Sequence, residues 1–248
     1  MRLRLLTYNI HRAIGVDRKF APGRIAEILE HHEADIVLLQ EVDQHAPRSN
    51  HLDLGRYLAR ELRYPHHAAG MNVELKRGRY GNVTLSRFPL GPQENIDLSL
   101  RWRKRRGAQH TTLFLERPGQ PPMLDVFNVH LGLSAIERRA QVARLLALPD
   151  VCDPRHSPNC IVAGDMNDWR GLLKRQFLAA GFECATNRRP GSRWAIRTFP
   201  SYAPAGGLDK VFFRGPLRLI HAHRSRLKLA RVASDHLPVV VDFELVAP

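Results

Sequence analysis

The chain is short of acids. Its 248 residues hold 38 Lys and Arg against 24 Asp and Glu, a formal charge of +14 at neutral pH. Such a surplus disfavours cationic partners and favours polyanions: nucleic acid, anionic lipid surfaces or phosphorylated small molecules. Only three cysteines are present, Cys152, Cys160 and Cys184, and their spacing fits no zinc motif. A disulfide framework is therefore not expected, and free thiols in a reducing compartment are. No apolar run approaches the ~20 residues needed to cross a bilayer. The opening MRLRLLTYNIHRA has neither an apolar core nor a small-residue cleavage site, so it does not read as a signal peptide. The expectation is a soluble, cytoplasmic protein, monomeric by default. No repeat, low-complexity tract or long Gly/Ser/Pro linker divides the sequence, which predicts one domain over residues 1–248.

What is present is a run of apolar segments with strand and helix periods. Strands are expected at 3–10, 35–42, 82–86, 95–100, 108–116, 123–131, 160–165, 208–213 and 217–223. The final VVVDFEL alternates Val239, Val241, Phe243 and Leu245 against Asp242 and Glu244, the period of a half-buried strand. Helices are expected after Pro22, over 52–62, from Ser134 to about Leu148, and over 171–181, where Gly181 ends the last. For the third, Ser134 and Glu137 suggest a capping box. That reading turns Ile136, Ala140, Ala143 and Ala147 inward and Arg138, Arg139 and Arg144 outward. Strand-rich blocks mixed with helices predict an α/β (α+β) four-layer sandwich, two β-sheets face to face with helices outside.

Polar residues terminate the apolar strands. Asn9 ends LLTYN, Glu41 ends DIVLLQE, His130 ends DVFNVH, and Asp165 and Asn167 end IVAGDMN. Asp209 opens LDKVFF, and Asp235 and His236 precede the last strand, with Pro238 stiffening its entry. Each alone has a plain structural reading as a turn residue, a solvated strand end or a satisfied histidine. Together they make four carboxylates, two amides and two imidazoles. If they converge, the acids raise one another's pKa unless a cation sits among them. Oxygen ligands of this kind suit Mg²⁺ or Mn²⁺. In a basic protein the chemistry suggested is phosphate-ester hydrolysis.

The segments TYNIH, LLQEVD, GNVTLSRFP, NVHLG, GDMNDW, LDKVFF and SDHLPV occur in the order seen in the endonuclease/exonuclease/phosphatase superfamily, which the chain resembles from about Arg4 to Phe243. The resemblance implies metal ligands at Asn9, Glu41 and Asp235. It implies that Asp165 activates or orients water, that Asn167 orients the phosphate, that His130 and His236 meet phosphate oxygens, and that Asp209 partners His236. GDMNDW departs from apurinic endonucleases at Asp168-Trp169, and RTFPSYAPAGGLDKVFF is similar to small bacterial members of uncertain substrate, some associated with lipid metabolism. Two substrates stay open: nucleic acid, favoured by the charge and by the run Arg101, Arg103, Lys104, Arg105 and Arg106, and phospholipid or inositol-phosphate head groups. Trp102 and Trp169 fit either or neither. A binding module without activity is the third reading, opposed by the intact polar set.

Overall fold

A computed structural model describes residues 1–100, 103–115, 123–153, 157–187 and 195–246. In chain order the first half runs β1 (Arg2–Asn9), α1 (Pro22–His32), β2 (Ile36–Gln44), α2 (Leu54–Glu61), β3 (His66–Glu74), β4 (Arg79–Ser86) and β5 (Leu90–Asp97). It continues with β6 (Gly107–Phe114), β7 (Met123–His130), α3 (Ala135–Leu146), α4 (Pro149–Cys152) and β8 (Cys160–Asp165). The last part is α5 (Lys174–Ala179), β9 (Glu183–Cys184), β10 (Asp209–Arg214), β11 (Leu217–Arg224), α6 (Ala230–Ala233) and β12 (Val239–Leu245).

Two six-stranded sheets form, in the orders β11-β12-β1-β2-β4-β3 and β5-β6-β7-β8-β10-β9. Only β1–β2 and β7–β8 pair in parallel. Each parallel pair needs a crossover, and a helix supplies it: α1 in the first, α3 in the second. The sheets pack face to face, with helices on the outer faces, as the sequence predicts.

Period-2 side chains give every central strand two buried faces. In β1, Leu3 and Leu5 point between the sheets, while Leu6 and Tyr8 point to the layer with α1 and α2. In β7, Leu124 and Val126 point between the sheets, and Phe127 and Val129 point to Val142 and Leu145 of α3. The inter-sheet face then changes character toward one edge. Leu3 and Leu5 give way to Thr7 and Asn9, Ile36 and Leu38 to Gln40, Leu124 and Val126 to Asn128 and His130, and Ile161 and Ala163 to Asp165. Gln40 donates to Thr7 Oγ1 (3.1 Å) and Asn128 Oδ1 (2.8 Å), and Asn82 donates to the Asn128 carbonyl (2.9 Å). These bonds satisfy buried amides that would otherwise destabilise the layer. The apolar core thus grades into a hydrogen-bonded floor beneath the strand-end polar residues.

Three expectations need correction. Helix α3 buries a different face: Ile136 is 83% exposed and Ala140, Ala143 and Ala147 are also exposed, while Arg138 is buried with Glu137, Gln141, Val142 and Leu145; Arg139 and Arg144 are exposed, as expected. Ser134 makes no side-chain cap. The buried polar residues instead hold the turn after β7. Gln141 Oε1 accepts from Gly132 N (2.9 Å), Arg138 donates to the Leu133 carbonyl, and the Glu137 carboxylate lies where a Cβ on residue 132 would be. Strand β5 lies earlier than 95–100, because Asp97 pairs Gly107 and the chain leaves the ladder there. The absence of a repeat holds for the sequence but not for the topology, which uses one strand order twice. All three cysteines are free thiols. Among the described residues no helix is long and apolar enough to cross a membrane.

Candidate active site

Register brings the polar strand ends to one edge. Asn9 pairs Gln40 beside Glu41, His130 pairs Asp165, and Asp165 pairs Asp209. Thr7 pairs Val239, which sets the turn before β12 beside Asn9. Ser234 Oγ closes that junction by donating to the Asn9 carbonyl (2.7 Å), and it also accepts from His236 N (3.3 Å).

Asp165 is the hub. Its Oδ1 accepts from the Asn167 backbone N–H (2.9 Å) and its Oδ2 from Asn9 Nδ2 (3.0 Å). The Nε2 atoms of His130 and His236 each lie 3.6 Å from that same Oδ2. Behind His236, Nδ1 bonds Asp209 Oδ2 (2.9 Å), and that oxygen also accepts from Thr198 Oγ1. Phe199 packs on the His236 ring at 5.0 Å, and Trp169 meets Phe199 edge-on. The imidazole is therefore fixed on both sides.

Two backbone features aim this set. Gly164 has φ +144, and a Cβ there would sit 2.0 Å from the Val129 carbonyl. Only glycine lets β8 approach β7 so closely just before Asp165. Glu41 has φ +57 in a bulge where the β2–β4 register shifts between Leu39 and Val42. The bulge takes Glu41 out of the ladder, where its carboxylate meets Arg12. Asn167 also has positive φ (51°).

Burial works against a charge on His236, but Asp209 and Asp165 outweigh it and push its pKa up to about 10. Burial holds His130 well below the usual imidazole range, and Arg106, Lys104 and His236 push it the same way. At neutral pH one imidazole is charged and the other neutral. Burial raises the Asp165 carboxyl, against His236, which lowers it, and with Asp209, which adds to the rise.

All eight residues singled out in the sequence lie at this edge, though not in equal engagement. Asn9 and Asn167 spend their amides locally: Asn9 Oδ1 accepts from His11 N (3.0 Å), and Asn167 Nδ2 donates to the Leu131 carbonyl (2.9 Å). Glu41 meets Arg12 Nε at 3.8 Å, and Asp235 is only partly buried. Asp165, Asp209 and His236 offer three potential ligand atoms within 4.8 Å of one another, a candidate metal group among the described residues. Asp209 Oδ1 is buried without a hydrogen-bond partner there. Carboxylates with an orphaned oxygen fit a hard divalent ion.

Thr198, Ser234, Tyr80 and Arg12 were not assigned roles from sequence, and Arg106 was assigned one only as a member of its basic run. Ser and Thr hydroxyls carry no distinctive signal, and Arg106 hides in a charge run that reads as solvated. Asp168 is structural: its carboxylate accepts from Leu172 N and Leu173 N (both 3.0 Å). Trp169 is 55% exposed. Arg101 and Trp102 lie outside the described residues.

A buried acid between two imidazoles, with further acids and a basic rim at a sheet edge, is the equipment of a phosphoesterase. Residues 6–236 match the model of the Endonuclease/Exonuclease/phosphatase family, and the chain belongs to that family. It is 30% identical over 254 residues to the uncharacterized protein YbhP of Escherichia coli (strain K12), covering 98% of this chain and 96% of that one. An endonuclease/exonuclease/phosphatase from Beutenbergia cavernae DSM 12333 superposes with a TM-score of 0.83 at 26% identity, over 98% of this chain and 72% of that chain. The human Nocturnin catalytic domain, solved with a bound sulfate, shares the fold with a TM-score of 0.78 at 21% identity, over 99% and 95% of the two chains.

Proposed function

We propose that this phosphoesterase is a divalent-metal-dependent hydrolase of phosphodiester bonds in nucleic acid. The observation that carries the reading is the pair of imidazole Nε2 atoms, each 3.6 Å from one oxygen of Asp165. That arrangement surrounds the space beside Asp165 with one charged donor, one neutral imidazole and one carboxylate.

Glu41, with Asn9 and Asp235 on the same edge, would hold Mg²⁺ or Mn²⁺. Held there, the ion would supply charge neutralisation at the phosphate oxygens and stabilisation of the leaving oxygen. The trio Asp165, Asp209 and His236 is the less suitable holder. An ion there would have Asp209 Oδ1 free to it, but at Oδ2, which already takes two donors, it would compete with the His236–Asp209 bond. The remaining steps belong to the chain's own groups. Asp165, held by Asn9 and by the Asn167 backbone N–H, orients the attacking water and takes its proton. Charged His236 donates to a non-bridging oxygen as negative charge accumulates. Asp209 fixes its tautomer and supports its charge. His130 faces the same oxygens from the other side. The net charge of +14 supports a polyanionic substrate.

The test is a turnover panel with Mg²⁺ or Mn²⁺: plasmid DNA, single strands, an abasic duplex, RNA, short-chain phospholipids and inositol phosphates. Cleavage of nucleic acid that stops on chelation is expected. Turnover of phospholipid or inositol phosphate alone would move the assignment to those head groups, and full turnover in chelator would remove the metal from it.

A further inference from the structure

A second group of cations stands beside the site, on the rim between Glu41 and His130. Asp43 pairs Tyr80 across β2 and β4, two residues from Glu41, so Tyr80 flanks the acid. Gly107 pairs His130, so Arg106 adjoins the imidazole. Lys104 Nζ lies over the Tyr80 ring at 5.2 Å, and Arg48 lies over it at 5.5 Å. Arg48 is already neutralised by Asp43 at 2.7 Å. Among the described residues Glu41 is the acid that Arg12 meets, at 3.8 Å, and it also acts on Lys104.

Their hydrogen-bond accounts do not close. Arg106 is 6% exposed, yet its Nε has no hydrogen-bond partner among the described residues. Arg12 Nε is likewise buried without one, and the Tyr80 hydroxyl lies against Arg106. A buried guanidinium with a free donor is strongly unfavourable unless an acceptor arrives. Guanidinium forks match phosphate oxygens in geometry as well as charge. A metal ion at Glu41 would occupy its carboxylate and enlarge the unmet positive charge.

We propose that Arg106, Arg12 and Lys104, backed by Tyr80, form a subsite for a second, non-reacting phosphate of the substrate. The inference rests on the hydrolase reading only in taking the reacting phosphate to lie at Asp165. It narrows the substrate to esters that carry another phosphate close to the scissile one. A polynucleotide has this chemistry, and so does a bisphosphorylated small molecule. A phosphocholine diester does not.

The decisive probe is inorganic pyrophosphate, titrated calorimetrically into the full chain without divalent cation, which would complex it. Without an ion the acids around Asp165 disfavour the probe there, and the rim variants test whether it binds at the rim. Wild type should bind it, and Arg106→Gln should weaken binding about tenfold or more. Lys104 is exposed, so Lys104→Ala leaves folding intact and should weaken binding severalfold should Arg106→Gln not fold. Equal binding by wild type and Lys104→Ala, or no binding by wild type, would overturn the subsite. Wild-type turnover of bis(p-nitrophenyl) phosphate with Mn²⁺, a diester lacking a second phosphate, scores the hydrolase reading separately. Pyrophosphate binding without that turnover keeps the subsite and removes the reaction; turnover without binding does the reverse. A lower KM for 5′-phosphorylated than for unphosphorylated dinucleotide identifies a nucleic-acid source. The same difference between inositol bisphosphate and monophosphate identifies a small-molecule one.

Discussion

The two sheets are built alike and furnished differently. Position by position, β11-β12-β1-β2-β4-β3 corresponds to β5-β6-β7-β8-β10-β9, with the single parallel pair at the same place in each. Asn9 at the end of β1 therefore corresponds to His130 at the end of β7, and the end of β2 to Asp165. The turn before β12, with Asp235 and His236, corresponds to Arg106 before β6. The first sheet bends its acid out through a bulge at Glu41. The second keeps Asp165 in register and buries it, with Gly164 allowing the close approach. One scaffold thus yields an accessible carboxylate suited to a hydrated ion and a buried carboxylate suited to orienting water. On the proposed mechanism, burial and local backbone, rather than residue type, would divide the roles between the acids.

The sharpest way to break this division is to neutralise each acid in turn. Asp165→Asn and His236→Ala should each lower kcat/KM by about 10²-fold or more, and His236→Ala should also lower Tm, because it leaves the buried Asp209 without its charged partner. Glu41→Gln should instead raise the Mn²⁺ concentration needed for half-maximal rate. Identical metal dependence in Glu41→Gln and Asp165→Asn would erase the proposed difference between the sheets.

Helix α3 offers the next largest effect. Leu145 is fully buried against the second sheet, and Leu145→Ala should cost about 2–5 kcal/mol in chemical denaturation. Ile136→Ala, on the exposed face, should stay within about 0.5 kcal/mol. Equal losses would restore the orientation expected from the Ile136/Ala140/Ala143 spacing.

The pH dependence is smaller and tests Asp209. His236 has a folded pKa raised to about 10. Its contribution to stability is fully present below the unfolded imidazole pKa of about 6.5 and is lost as pH rises through about 10. Tm of the wild type should fall across that window. Asp209→Asn should flatten the fall and bring the alkaline limb of kcat/KM to lower pH. An unchanged limb would mean that His236 does not react as the charged form.

Much of this was legible in the sequence, for reasons that single residues make plain. Asn9, His130, Asp165 and Asp209 stand out because each breaks a period-2 apolar run at its end, where a core strand has no other use for a buried polar group. The face of α3 was not legible. Arg138 and Gln141 are buried to hold backbone carbonyls and the Gly132 N–H, and a hydrophobicity pattern assigns such residues outward. The topological repeat escaped because the halves share strand order but not motif residues. Arg106 was legible only as one member of a basic run offered to backbone phosphates; its burial beside His130 follows from the pairing of β6 with β7.

The most direct test of the account is the position of Mn²⁺ in crystals of the protein, located by its anomalous scattering. The account predicts one ion bonded to the Glu41 carboxylate, with the His236–Asp209 hydrogen bond intact. An ion held instead among Asp165, Asp209 and His236, with that bond broken, would contradict it.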